Sequence, residues 1–137
     1  EESTPEDLQK YVGKGENILL VEDEEPVLRY LENILDNYGY NYHSAINGEE
    51  ALEIFNGSQE GFDLLISDVI MSGISGVELA DKLRKQDSNL KIILSSGYSS
   101  KKVAPKKIKD KGYKFIQKPY NINKLLKVIH NTINQDV

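Results

Sequence analysis

Four short apolar runs, each ending in polar residues, constrain this chain more than any other feature. Ile18-Leu19-Leu20-Val21 runs into Glu22-Asp23, and Leu64-Leu65-Ile66-Ser67 runs into Asp68. Ile92-Ile93-Leu94-Ser95 runs into Ser96-Gly97, and Tyr113-Lys114-Phe115-Ile116-Gln117 runs into Lys118-Pro119. Runs this short, bounded by polar residues, suit strands buried on both faces, as in a parallel sheet. Residues just past the carboxyl ends of such strands converge on one crevice. Here the crevice gathers the carboxylates of Glu22, Asp23 and Asp68, the Ser96 hydroxyl and the Lys118 ammonium. Three close carboxylates repel one another unless a cation joins them. The set suits Mg²⁺ and a phosphoryl group.

From Asn17 onward, strand and helix signals alternate five times. Pro26 suits a first helical turn. Val27, Leu28, Leu31, Ile34, Leu35 and Tyr38 then keep helical spacing until Gly39. A second strand is expected over Tyr40 to Ala45. Asn47 is placed to cap a short helix bearing Ala51, Leu52, Ile54 and Phe55. Val77, Ala80 and Leu83 mark a third helix, and Asn121 caps a fifth that buries Ile122, Leu125, Leu126, Ile129 and Ile133. The fourth, between Ser99 and Gly112, holds Lys101, Lys102, Lys106, Lys107, Lys109 and Lys111 around Pro105. An internal proline removes a hydrogen bond and clashes with the preceding turn, so a short or frayed helix is expected. Its lysines form either a solvated face or a docking surface for an acidic partner. Alternating βα units imply an α/β fold with a parallel sheet.

At 137 residues the chain suits one domain. Residues 1 to 14, polar and holding Pro5, read as a linker that leads into a domain over 15 to 137. No apolar run approaches membrane-spanning length, no signal-peptide pattern opens the chain, and there is no cysteine. A cytoplasmic location is expected. The net charge of −5 argues against a general nucleic-acid surface. Numbering that opens at Glu1 in place of a methionine suggests a piece of a longer protein.

The segments ILLVEDEEPVL (Ile18 to Leu28), FDLLISDVIMSGISG (Phe62 to Gly76), IILSSGY (Ile92 to Tyr98) and FIQKPY (Phe115 to Tyr120) stand together in order. They resemble the receiver domain of response regulators in two-component systems, over about residues 15 to 135. The resemblance implies a doubly wound (βα)5 flavodoxin-like fold with a five-stranded sheet of order 2-1-3-4-5. It implies a phosphoprotein in which Asp68 accepts a phosphoryl group from a histidine, giving an acyl phosphate. Asp23 and Asp68 would bind Mg²⁺ directly (Mn²⁺ could substitute), with the backbone carbonyl of Ile70, while Glu22 acts through water. Lys118, followed by a cis-proline turn at Pro119, would offset the added charge, and Ser96 would donate its hydroxyl to a phosphoryl oxygen. Ser96 and Phe115 would form a switch that alters the surface of the fourth helix, fifth strand and fifth helix. Glu24 and Glu25 fit acidic residues at a helix start. One departure is Ser72, where the family commonly has proline after the methionine.

Such a domain catalyses its own phosphorylation and dephosphorylation without being a turnover enzyme. Its partner is a histidine-containing domain of a histidine kinase or a phosphotransfer protein. No contact with nucleic acid or membrane is expected of this domain. His43 and His130 do not suit the role of donor. The segment GKGENILLVEDE resembles the junction before the C-terminal receiver of hybrid sensor histidine kinases, whose parent transferase can be membrane-anchored. A stand-alone or truncated response regulator is the alternative. A haloacid-dehalogenase-type phosphatase would need an acid two residues after Asp68, where Ile70 stands. An FMN-binding flavodoxin would need a phosphate cradle where Glu22-Asp23-Glu24-Glu25 would repel phosphate. A receiver that only docks is opposed by the intact residue set. Ile70 and Tyr98 flank the approach of water to Asp68 and would make the phosphorylated form long-lived.

Overall fold

Side-chain alternation along five parallel strands divides the interior into two layers. The computed structural model describes residues 8–97 and 103–135. Within them run β1 (Asn17–Val21), α1 (Glu25–Asn37), β2 (Asn41–Ala45), α2 (Gly48–Gly57) and β3 (Leu64–Asp68). There follow α3 (Gly76–Gln86), β4 (Lys91–Ser96), α4 (Pro105–Asp110), β5 (Lys114–Gln117) and α5 (Ile122–Ile133). All neighbouring strands pair in parallel, in the expected order β2-β1-β3-β4-β5.

One layer sets Ile18, Leu20, Leu64, Ile66, Ile93 and Ile116 of the sheet against α1 and α5. The other sets Leu19, Val21, Leu65, Ile92 and Leu94 against α2, α3 and α4. Central strands therefore bury both faces, which is why their sequences are continuously apolar. The edge strand β2, Asn-Tyr-His-Ser-Ala, alternates between exposed and half-buried positions and can be polar.

Local chemistry sets the helix ends. The side chains of Asn47, Ser75 and Asn121 accept the backbone N–H groups of Glu50, Glu78 and Lys124 at 2.8, 3.1 and 2.9 Å. Gly39, at φ +84°, turns the chain from α1 into β2. Pro105 opens α4, where its missing N–H has no helical partner to lose, and the helix is short as expected, with six residues. The start expected near Ser99, with Lys101 and Lys102, lies outside the described residues.

Residues 8–14 of the expected linker pack against the domain. Leu8 is buried among the residues of the α1–α5 layer. A 3₁₀ turn, Gln9–Tyr11, brings the Tyr11 ring edge-on to His130, with centroids 5.6 Å apart. The Tyr40 hydroxyl donates to the Tyr11 carbonyl at 2.9 Å, and the Gly13 N–H donates to the Tyr38 carbonyl at 2.6 Å. A Cβ on Gly13 would stand 2.5 Å from the Tyr40 ring, so this approach requires glycine. Leu8→Ala is expected to destabilise the domain by about 2 kcal/mol, as for a buried leucine whose cavity partly collapses. Urea unfolding checks this, and an unchanged midpoint would mean that the strap adds nothing.

Candidate functional site

The carboxyl ends of β1, β3 and β5 bring together residues far apart in the chain. Lys118 Nζ lies 3.1 Å from Glu22 Oε1 and 3.5 Å from Asp68 Oδ2. Glu22 is only 1% exposed, and its Oε2 accepts the Glu24 N–H at 3.1 Å. Both of its oxygens thus have donors, as a buried carboxylate requires. Asp23, one residue on, is exposed. One carboxylate oxygen from each of Glu22, Asp23 and Asp68 falls within 4.8 Å of the others. Asp23, Asp68, Ile70, Ser72, Gly97 and Lys118 line a cleft of about 560 Å³. A water's share of liquid volume is about 30 Å³, so a hydrated ion and a phosphoryl group both fit.

Burial pushes the Asp68 carboxyl up to about 6; Lys118 draws it down, while Glu22 and Asp23 push it further up. Burial disfavours the Lys118 ammonium too, but Asp68 and Glu22 outweigh this and raise its pKa. The site therefore holds its lysine charged and leaves Asp68 short of countercharge. The donors are carboxylate oxygens with neither sulfur nor imidazole among them, a set that fits a hard divalent cation such as Mg²⁺.

The backbone around Asp68 is fixed tightly. The Val69 N–H donates to the Ser95 carbonyl, and the Gly76 N–H donates to the Val69 carbonyl, each at 2.8 Å. A Cβ on Gly76 would stand 2.1 Å from the Asp68 carbonyl oxygen, so α3 can begin here only with glycine. Ser96, fully buried, ends β4, and its carbonyl accepts the Lys118 N–H at 2.9 Å. Alternation puts Ser96 on the side of Leu94, in the layer where the half-buried Phe115 also packs. Ser95, paired with Asp68 in the ladder, faces the other layer. The Lys118–Pro119 peptide bond is cis, as expected. The expectation for Tyr98 lies outside the described residues.

Sequence reasoning missed Tyr120. Its side chain lies beside that of Ser95, and burial, with Glu22 and Asp68 nearby, raises its pKa strongly. The only signal was an aromatic directly after Lys118-Pro119. Neither histidine is at the site: His43 packs edge-on to Phe62, as His130 does to Tyr11.

Comparison with known proteins agrees with this geometry. The profile of the response regulator receiver domain matches residues 18–130. This chain belongs to that family, the receiver domains of two-component systems. It is 33% identical over 118 residues to the sensor kinase CckA of Brucella abortus, covering 86% of this chain and 12% of that protein. It is 30% identical to the response regulator receiver protein CpdR of the same organism, covering 85% and 95%. Among solved structures, the receiver domain from the hybrid histidine kinase CckA superposes with a TM-score of 0.73 at 35% identity, covering 86% and 99%. The response regulator TrrA of Thermotoga maritima, in complex with Mg²⁺-BeF, gives 0.73 at 34% identity, covering 85% and 98%. The chain spans only part of several relatives, 57% of a probable transcriptional regulator of Porphyra purpurea and 12% of the sensor kinase. Receiver domains bind Mg²⁺ through clustered acidic residues and accept phosphate from histidine kinases or phosphotransfer proteins.

The raised Asp68 carboxyl gives a signed pH dependence. Its ionised form is disfavoured in the folded state, so this penalty is absent below its ordinary pKa of 3.8 and complete above about 6. Without divalent ions, Asp68→Asn should stabilise the protein at pH 8 by up to about 2 kcal/mol, with the gain vanishing toward pH 4. Urea unfolding in chelator at both pH values checks this, and an equal gain at the two would contradict the assignment. Gly76→Ala should destabilise by about 1–3 kcal/mol, as overpacking does, in the same assay.

Proposed function

We propose that this domain is the phosphoacceptor of a His-Asp phosphorelay, with Asp68 as the acceptor. The observation that carries this is the Lys118 ammonium held between the Glu22 and Asp68 carboxylates beside the exposed carboxylate of Asp23. In the transfer, the N–P bond of a phosphohistidine breaks as an Asp68 oxygen bonds to phosphorus. Lys118 and the Ser96 hydroxyl stabilise the oxygens of the incoming group. Asp23, Asp68 and the Ile70 carbonyl would hold Mg²⁺, for which Mn²⁺ can substitute. When bound, the cation neutralises charge on carboxylate and phosphoryl oxygens alike. Glu22 suits an outer role through water, since Lys118 and the Glu24 N–H already engage its two oxygens. Movement of Ser96 toward the new group and of Phe115 inward would then alter the α4-β5-α5 surface.

The donor is the histidine-containing domain of a histidine kinase or a phosphotransfer protein. We favour a hybrid sensor kinase as the parent, with this domain on its cytoplasmic side, because both a sensor kinase and a hybrid-kinase receiver domain resemble this chain. Receivers of other settings resemble it as well, so a stand-alone regulator is the second reading. Among the described residues no helix is long and apolar enough to cross a membrane.

Incubation with Mg²⁺ and acetyl phosphate is expected to add the mass of one phosphoryl group, and Asp68→Asn to abolish the addition. An Asp68→Asn protein modified at the wild-type rate would overturn the assignment. Asp23→Asn should weaken Mg²⁺ binding more than Glu22→Gln. Losing an outer partner typically costs about 10- to 100-fold, and losing a direct ligand with its charge should cost more. Titration of the two variants decides it, and the reverse order would exchange their roles.

A further inference from the structure

The amino ends of the last two strands form a second cleft. β4 begins at Lys91 and β5 at Lys114, and α3 and α5 finish beside them, at Gln86 and Ile133. The cleft between these ends measures about 510 Å³ and lies at the far end of β4 and β5 from Ser96 and Lys118. Ligand pockets commonly run to about 300–1,000 Å³. Arg84, Lys91 and Lys114 line it, and no carboxylate does, although the chain holds 22 acidic side chains. In a protein of net charge −5, that is a local reversal of sign.

Helix carboxyl ends expose carbonyl groups, and part of this positive charge answers them. Arg84 Nε donates to the Leu90 carbonyl at 3.0 Å, and Lys91 Nζ donates to the Gln135 carbonyl at 3.3 Å. These bonds leave the terminal amino groups of Arg84 and most donors of Lys91 unused. The Arg84 guanidinium also lies over the Tyr113 ring, 5.2 Å from its centroid, and with the Nε bond this holds the group in place. The Lys114 ammonium makes no hydrogen bond or ion pair among the described residues. Thr132 belongs to the same lining, is 3% exposed, and its Oγ1 has no hydrogen-bond partner among the described residues. A buried hydroxyl left unpaired costs free energy, which an oxygen of a bound ligand would recover.

We propose that this cleft binds a small organic phosphate, whose phosphoryl oxygens meet Arg84, Lys91 and Lys114 and accept the Thr132 hydroxyl. A guanidinium already held in place, with its terminal N–H groups free, matches two oxygens of one phosphoryl group. A phosphate monoester carries about −1.5 to −2 at neutral pH, which suits three cations better than a single carboxylate does. At about 30 Å³ for each water displaced, the volume leaves room for a body of several carbon atoms beside the phosphoryl group. The cleft at Asp68 does not compete for such a ligand, since its three carboxylates repel phosphate when no cation joins them.

The proposal does not rest on Asp68 being the phosphoacceptor, and the test keeps the two apart. The whole chain, isotopically labelled in its amide nitrogens and held in chelator, is titrated with glycerol 3-phosphate while its amide resonances are followed. Saturable shifts are expected at Arg84, Lys91, Lys114 and Thr132, and the same shifts in Asp68→Asn. Lys114→Gln, which removes an exposed charge and spares the fold, should weaken binding several-fold, and Lys114→Gln with Arg84→Gln by at least about tenfold. Thr132→Val, which exchanges the hydroxyl for a methyl group, should weaken it about fivefold. Lys124→Gln with Lys127→Gln, on α5 outside the cleft, should change nothing. Undiminished affinity in the Lys114→Gln protein would overturn the proposal, as would shifts centred on Asp23 and Asp68. Equally tight binding of succinate would make this a carboxylate site, and tighter binding of an oligothymidylate would make it a nucleic-acid surface. Either result overturns it too.

Discussion

The ammonium of Lys118, set between two carboxylates at the end of the sheet, is the interaction on which the site's arrangement depends. Glu22 is almost wholly buried, and an unpaired charge there would be strongly destabilising. Its partner lies 96 positions away in the chain. To bring them together, β5 must end level with β1, and Lys118 must reach across β3 and β4. The strand order is thus the geometry that satisfies a buried acid. The third carboxylate, Asp23, stands outside this balance, exposed beside a pair that already shares one cation. That surplus of negative charge is what makes the cleft suited to a further cation.

Much of this was legible in the sequence because burial on both faces leaves so plain a mark. β1, β3 and β4 read as apolar runs, and the polar residues just past their ends marked the crevice. The asparagine caps at Asn47 and Asn121 were equally plain, since each can bond an N–H three residues ahead. What escaped depended on tertiary context. Leu8, Tyr11 and Val12 are three apolar residues in a polar stretch, too few to show a period, and only packing on the α1–α5 layer gives Leu8 and Tyr11 a place. Buried Thr132 on α5 looked like a surface residue by type, while Ile133 beside it is only half-buried. The approach of Tyr120 to Ser95 joins distant parts of the chain and has no local signature.

The pairing of Glu22 with both Lys118 and the Glu24 N–H was likewise invisible in one dimension. Sequence could place Glu22 and Asp23 at the crevice, yet not say that Glu22 would be buried and Asp23 exposed. Once Val21 is the last residue of a buried strand, Glu22 is the first acid the sheet must accommodate. Asp23, Glu24 and Glu25 can then remain in water. Neighbouring residues of the same type thereby have unlike surroundings.

The alternation within β4 has a further consequence. Ser95 stands in one interior layer, opposite Asp68 and beside Tyr120, while Ser96 stands in the other, with Phe115. The wall between the two compartments is a single peptide thick at this point. The Ser95 carbonyl holds the Val69 N–H, and the Ser96 carbonyl holds the Lys118 N–H, so the two bonds that brace the acidic cleft issue from consecutive residues facing opposite ways. A change in position of either brace is shared by both compartments at once, without having to travel along a strand or through a helix.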